Sequence, residues 1–212
     1  FAEGKTVREV AQMVARDRLY HDPQQLMTFL GLHDVDRFMN QPGATPAGLK
    51  LAFTALFTLR GIPLVYYGDE IALAGGGDPD NRRDFPGGWP GDPRNAFEAA
   101  GRAPDEQAVF EHVRALARLR AELPALRRGA TLQLSATEQT WCFARVHDGQ
   151  AVAVVFNNGA APAAVECPGV AQAGLADGAA LRDRLGVAQA VSVAAGTLKL
   201  ELPPRSAAVL TR

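Results

Sequence analysis

Cysteine, aromatic residues and any excess of charge of one sign are all scarce in this chain of 212 residues. Two cysteines are too few for the disulfide framework that staples small secreted domains. Cys142 and Cys167 could pair or stay free; Cys142 alternates with Trp141 and Phe143 in a strand-like run, which favours a small buried thiol. A net charge of −1 supplies no cationic surface for nucleic acid or for an acidic membrane, so neither is expected as a partner. No apolar run approaches the roughly 20 residues of a membrane-spanning helix. His21, His112 and His147 have no metal-ligand spacing to partners. A Gly-rich phosphate loop with its Lys and a Gly-x-Ser-x-Gly elbow are both missing. No metal and no cofactor is therefore expected. What remains, 47% hydrophobic and 21% charged, is the profile of a soluble globular protein. The opening Phe1-Ala2-Glu3-Gly4-Lys5 is neither a signal peptide nor a natural initiator, so a fragment of a longer protein is expected, its compartment left open between cytoplasm and export.

Two textures are present. Val7, Val10, Met13, Val14 and Leu19 recur at helical spacing and predict a helix over residues 5–20, stopped by His21-Asp22-Pro23. A short strand over 26–30 follows. Thr45-Pro46 reads as an N-cap followed by a first helical position, opening a helix that is apolar on nearly every side through Leu59. Gly61-Ile62-Pro63 breaks it, and a strand is expected over 64–67. Strand, helix and strand in this order predict a parallel βαβ unit. Residues 71–104 are a long Gly-, Pro-, Asp- and Arg-rich loop, and 105–122 a helix with Val109, Phe110, Val113 and Leu116 on one face. Beyond Pro124 short apolar or alternating runs are separated by turns. Residues 141–146 and 151–156 flank Asp148-Gly149, a hairpin signal, and Leu198, Leu200 and Leu202 alternate. This half predicts a small antiparallel β-domain, a sandwich.

The chemistry gathers where apolar runs end. Leu26-Met27-Thr28-Phe29-Leu30-Gly31-Leu32 leads into His33-Asp34, with Arg37 three places on. Gly61-Ile62-Pro63-Leu64-Val65-Tyr66-Tyr67 closes on Gly68-Asp69-Glu70. Buried strands ending in polar residues are how a parallel α/β barrel builds its active-site face. A third segment, Gly77-Asp78-Pro79-Asp80-Asn81-Arg82-Arg83, sets a carboxylate and a guanidinium four residues apart. Asp78-x-Asp80-Asn81 fails as a calcium loop, because Arg82 and Arg83 fall where a ligand and a glycine belong, and Trp89 where a bidentate Glu belongs. Trp89 is a candidate for stacking on a ligand, with packing an equal alternative.

The first two segments together resemble the end of the catalytic barrel of the α-amylase family, glycoside hydrolase family 13. Asp78-Pro79-Asp80-Asn81-Arg82 resembles the Asp-Pro-x-x-Arg signature of its neopullulanase, cyclomaltodextrinase and oligo-glucosidase branch. The resemblance implies α/β plus all-β architecture: the closing portion of a (β/α)8 TIM barrel over 1–124, then an antiparallel β-sandwich over 125–212. It implies Asp34 as the transition-state-stabilising carboxylate, hydrogen-bonded to two adjacent hydroxyls of the glucose at the cleavage site. His33, Arg37, Asp78, Arg82 and Trp89 become substrate-binding residues, and Tyr67, Asp69 and Glu70 anchors of loops at the barrel mouth. Leu32 stands where the family usually has Asn, which puts any hydrogen bond from that Asn in doubt.

The family's nucleophile Asp and acid/base Glu precede the stretch matched here, and neither pattern occurs in the chain. The expected function is therefore the C-terminal part of a retaining α-glucan hydrolase or transglycosidase acting on α-1,4 or α-1,6 bonds of maltooligosaccharides, cyclodextrins, pullulan or starch. By itself it is expected to be inactive. An uncovered barrel edge also predicts a homo-oligomer. The alternatives are a non-catalytic scaffold that kept the barrel, and a carbohydrate-binding module in the second half. The polar set at the barrel mouth disfavours the former, and the lack of an exposed aromatic platform disfavours the latter.

Overall fold

The computed structural model describes all residues, 1–212. Its first half carries helices α1 (Arg8–Val14), α2 (Pro46–Thr58), α3 (Pro104–Glu122) and α4 (Pro124–Arg128), with strands β1 (Met27–Phe29) and β2 (Ile62–Leu64). The second half holds β3 (Ala130–Ala136), β4 (Thr140–His147), β5 (Gln150–Asn157), β6 (Ala163–Pro168), β7 (Ala180–Asp183), β8 (Val191–Ser192), β9 (Thr197–Leu202) and β10 (Ser206–Thr211). No helix is long and apolar enough to cross a membrane.

β1 and β2 run parallel, with Met27 opposite Ile62 and Phe29 opposite Leu64. The expected unit is therefore present, with the second strand lying at 62–64 instead of 64–67. After Leu64 the chain leaves the ladder, and Tyr66–Tyr67 lead into a turn at Gly68, whose φ of +88° suits a residue without a Cβ. The two strands have no further neighbours, so β1 keeps a free edge. Met27, Phe29 and Ile62 are 58%, 43% and 54% exposed beside it. An apolar hollow of about 240 Å³ opens next to this pair, lined in part by Val10, Met13, Phe29, Leu56 and Leu59.

The helix expected over 5–20 is shorter: α1 ends at Val14, and a single 3-10 turn covers Asp17–Leu19. In that turn Arg60 grips Asp17 through two hydrogen bonds of 2.6 and 2.8 Å. α2 begins as expected: Pro46 follows Thr45, whose hydroxyl accepts the Gly48 N–H at 3.1 Å. Residues 51–58 are all buried, because α2 is covered by α3 on one side and by the large sheet on another. Two enclosed arginines satisfy the carbonyls that its C-terminus leaves over. Arg120 donates to the carbonyls of Phe57, Leu59, Leu126 and Gly61, and Arg145 to those of Thr58 and Gly129. Burial lowers both guanidinium pKa values, to about 10 and about 9.

In the second half the strand order is β3-β4-β5-β10-β7-β8, and antiparallel β6–β9 forms a separate pair. The expected hairpin joins β4 to β5, with Asp148 and Gly149 both at positive φ. Alternate residues face opposite cores. Trp141, Phe143, Val152, Val154, Phe156 and Val209 join α1, α2 and α4 in one core, while Cys142, Ala153, Val155 and Leu210 meet Leu198, Leu200 and Leu202 in the other. Burial on both faces explains the unbroken apolar run Ala151–Phe156. The free thiol expected at Cys142 is corrected: it forms a disulfide with Cys167 of β6, Cα atoms 5.9 Å apart, stapling the large sheet to its cover. The two cysteines face each other because each occupies an inward position of its own strand.

Candidate functional site

The loop after β1 makes a tight turn. Val35 N–H donates to the Leu32 carbonyl at 3.3 Å, and His33 and Asp34 occupy the exposed tip. Their side chains meet, with His33 Nε2 3.2 Å from Asp34 Oδ2. Arg82 reaches this tip from the long loop after β2. Its terminal nitrogen lies 3.7 Å from Asp34 Oδ1, and its Nε lies 3.0 Å from Asp78 Oδ1 and 3.1 Å from the His33 carbonyl oxygen. His33, Asp34, Asp78 and Arg82, separated in sequence, thus form one solvent-facing group of two carboxylates, an imidazole and a guanidinium. The Asp78–Pro79 peptide is cis.

Exposed ion pairs hold little geometry by themselves, each contributing about 0–1 kcal/mol. The holding is done one layer down. Arg37, expected among the substrate-binding residues, is corrected here: it is 0% exposed and cannot touch a ligand at the tip. It pairs with Asp69 at 2.9 Å, donates to the carbonyls of Tyr67 and Asn81, and lies under the rings of Tyr66 and Tyr67. Its backbone N–H donates to Gly75 O, so one residue binds the post-β1 loop to both ends of the post-β2 segment. Burial pushes the Asp69 carboxyl up to about 6, against the pull of the Arg37 charge. A Cβ at Gly31 would stand 2.6 Å from Asp69 Oδ2, so a side chain there would push the carboxylate away from Arg37. Tyr67 adds a tie through its hydroxyl, which donates to the carbonyls of Arg82 and Arg83. Asp80 is held by the Gly76 N–H and by Arg83, which keep its carboxyl below the usual range.

Sequence reasoning passed over Asn81. It is almost completely buried, and its side-chain amide donates toward the carbonyls of His33, Val35 and Leu32 at 2.9, 3.0 and 3.4 Å. An amide between two charged residues carried no mark of this. Trp89 stands 67% exposed in a turn where its backbone N–H donates to Asp92 Oδ2, and no hydrogen bond or ion pair ties it to the four clustered residues. No group of three or more His, Cys, Asp or Glu side chains is arranged to hold a metal ion. The cluster presents two carboxylates, an imidazole and a guanidinium on one exposed face, a mixed set of hydrogen-bond acceptors and donors.

No family model matches the chain. It is 37% identical over 137 residues to neopullulanase 2 of Thermoactinomyces vulgaris, which covers 64% of the chain and 21% of that enzyme. It is 32% identical over 133 residues to the cyclomaltodextrinase of Thermoanaerobacter pseudethanolicus, covering 63% and 21%. The match thus spans about a fifth of the length of these curated relatives. Among solved structures, the debranching enzyme of Nostoc punctiforme superposes with a TM-score of 0.79 at 29% identity, over 98% of this chain and 40% of that one. An α-amylase of Geobacillus thermoleovorans, solved with acarbose, gives 0.78 at 29%, over 97% and 43%.

Proposed function

We propose that this chain, similar to a neopullulanase and a cyclomaltodextrinase in sequence and to a debranching enzyme in fold, is the closing, C-terminal part of a retaining α-glucan hydrolase or transglycosidase of the α-amylase family. Residues 1–124 then complete a (β/α)8 barrel, whose earlier strands pair with the free edge of β1 and cover Met27, Phe29 and Ile62. Residues 125–212 are the β-sandwich that backs it. The parallel pairing of β1 with β2 supports this arrangement.

The observation that carries the functional reading is Arg82 set between Asp34 and Asp78. An α-glucoside leaves through a flattened, cationic ring, and groups that bind that ring more tightly than the ground state accelerate its formation. Asp34 accepts hydrogen bonds from two adjacent hydroxyls and gains as the ring becomes positive. His33 donates to a hydroxyl of the same glucose. Asp78 and Arg82 grip the hydroxyls on its non-reducing side. The nucleophile and the acid/base lie outside these residues, so the chain alone forms no glycosyl intermediate and is inactive. Trp89 is a stacking surface for the neighbouring sugar.

Titration of the chain with maltotriose, followed by amide NMR, tests this. Weak binding is expected, falling about tenfold or more in Asp34→Ala and in Arg82→Gln, while the melting temperature stays within a few degrees because both side chains are exposed. Absence of binding in the unaltered chain overturns the reading. So does release of glucose from maltotriose that survives Asp34→Ala.

A further inference from the structure

We infer that Asn81 is the positioning residue of this site, the group that fixes the His33–Asp34 tip at the place where Arg82 can meet it. The inference rests on the α-glucan reading for what the tip binds, but not for how the tip is held.

Two loops cross here, and Asn81 is the crossing point. Its side chain faces the carbonyls of Leu32, His33 and Val35, which are the backbone of the turn that presents the two functional side chains. Its own carbonyl accepts from Arg37 Nε at 2.9 Å, and Arg37 is anchored by Asp69 and by the Tyr67 carbonyl. A continuous chain of hydrogen bonds therefore runs from the turn after β2 through Arg37 to Asn81, and from Asn81 to the tip. The next residue along is Arg82, which places its Nε against the His33 carbonyl and Asp78. Asn81 thus sets the tip and the guanidinium relative to each other from one backbone position.

The chemistry admits few substitutes. An Asn amide brings two N–H donors on one short, planar group. Aspartate has the same shape but only acceptor oxygens when ionised, so its charge would face three carbonyl oxygens from a side chain almost wholly out of water. Donation and packing therefore predict opposite orders. If the amide acts by donating, Asn81→Asp displaces the tip further than Asn81→Ala. If Asn81 only fills space, the isosteric Asp does less harm than the cavity left by Ala.

The experiment measures the backbone amide shifts of His33, Asp34 and Val35 without sugar, and then maltotriose affinity at a temperature where each variant is folded. The expected result is displaced shifts in both variants, larger for Asp, and affinity lowered about tenfold in Ala and further in Asp. Unchanged shifts in both, or an Asp variant closer to the unaltered chain than Ala, overturns the inference. Should the Asp variant fail to fold, Asn81→Ser replaces it: one retained donor gives an affinity between those of Asn and Ala, and equality of Ser with Ala overturns the inference. If the unaltered chain binds no maltotriose while the shifts respond as stated, the positioning role stands and the α-glucan reading falls.

Discussion

The two halves of this molecule secure themselves by different means. Around the candidate site, β1 and β2 have three residues each, and apolar side chains beside them face water. What fixes the loops is directional: a buried guanidinium, an amide and a set of backbone carbonyls. In the β-rich half the six-stranded sheet has apolar side chains packed on both faces, and the disulfide crosses between layers. Hydrophobic burial is insensitive to small errors of placement, whereas hydrogen bonds decay within a fraction of an ångström. Stability is thus concentrated where no chemistry is assigned, and geometric accuracy where the ligand groups stand.

This contrast can be attacked directly. The largest effect is expected in the sheet. Trp141→Ala removes a fully buried indole stacked near Phe143 and Phe156, and should cost about 3–5 kcal/mol in chemical denaturation. A loss below about 1 kcal/mol would mean that the sheet core is not the stabilising centre. Replacing Cys142 and Cys167 together by Ala opens a link across 25 residues and should cost about 3 kcal/mol, matched by the effect of reductant on the unaltered chain.

A smaller, pH-dependent effect comes from the helical side. His112 Nε2 sits 2.9 Å from the Thr54 hydroxyl and 3.0 Å from the Lys50 carbonyl oxygen, and burial pushes its pKa down to about 4. A lowered imidazole pKa means that the folded state binds its proton less tightly than the unfolded chain. The stability it contributes is full above about pH 6.5 and is lost as pH falls toward 4. Relative to His112→Asn, the unaltered chain should lose on the order of 2–3 kcal/mol across that window. Parallel curves for the two proteins would show that the fold does not disfavour the charged imidazole.

Much of the architecture was legible because it follows from periodicity and punctuation. Thr45-Pro46 marked the start of α2, Asp148-Gly149 the hairpin, and Leu198, Leu200 and Leu202 a strand with one buried face. The Cys142–Cys167 bond was not legible, since two isolated cysteines carry no pairing information until the strands are stacked. Arg37 shows a subtler failure. The family resemblance implied a role at the ligand, but its burial depends on Asp69 and on carbonyls from a separate loop. Asn81 was invisible for a related reason: its role is written in the positions of three backbone oxygens, not in its neighbours along the chain.

One core runs from Val7, Ala11 and Val14 through Leu51 and Ala55 of α2 to Trp141, Val154 and Val209 of the sheet. Severing the polypeptide at Gly129 would therefore strip a greasy surface from both products. The β-rich half is no detachable accessory, and recombination that swapped it for an unrelated module would leave the opposite wall without its complement. Helices α1 and α2 and the sheet behind them make one folding unit.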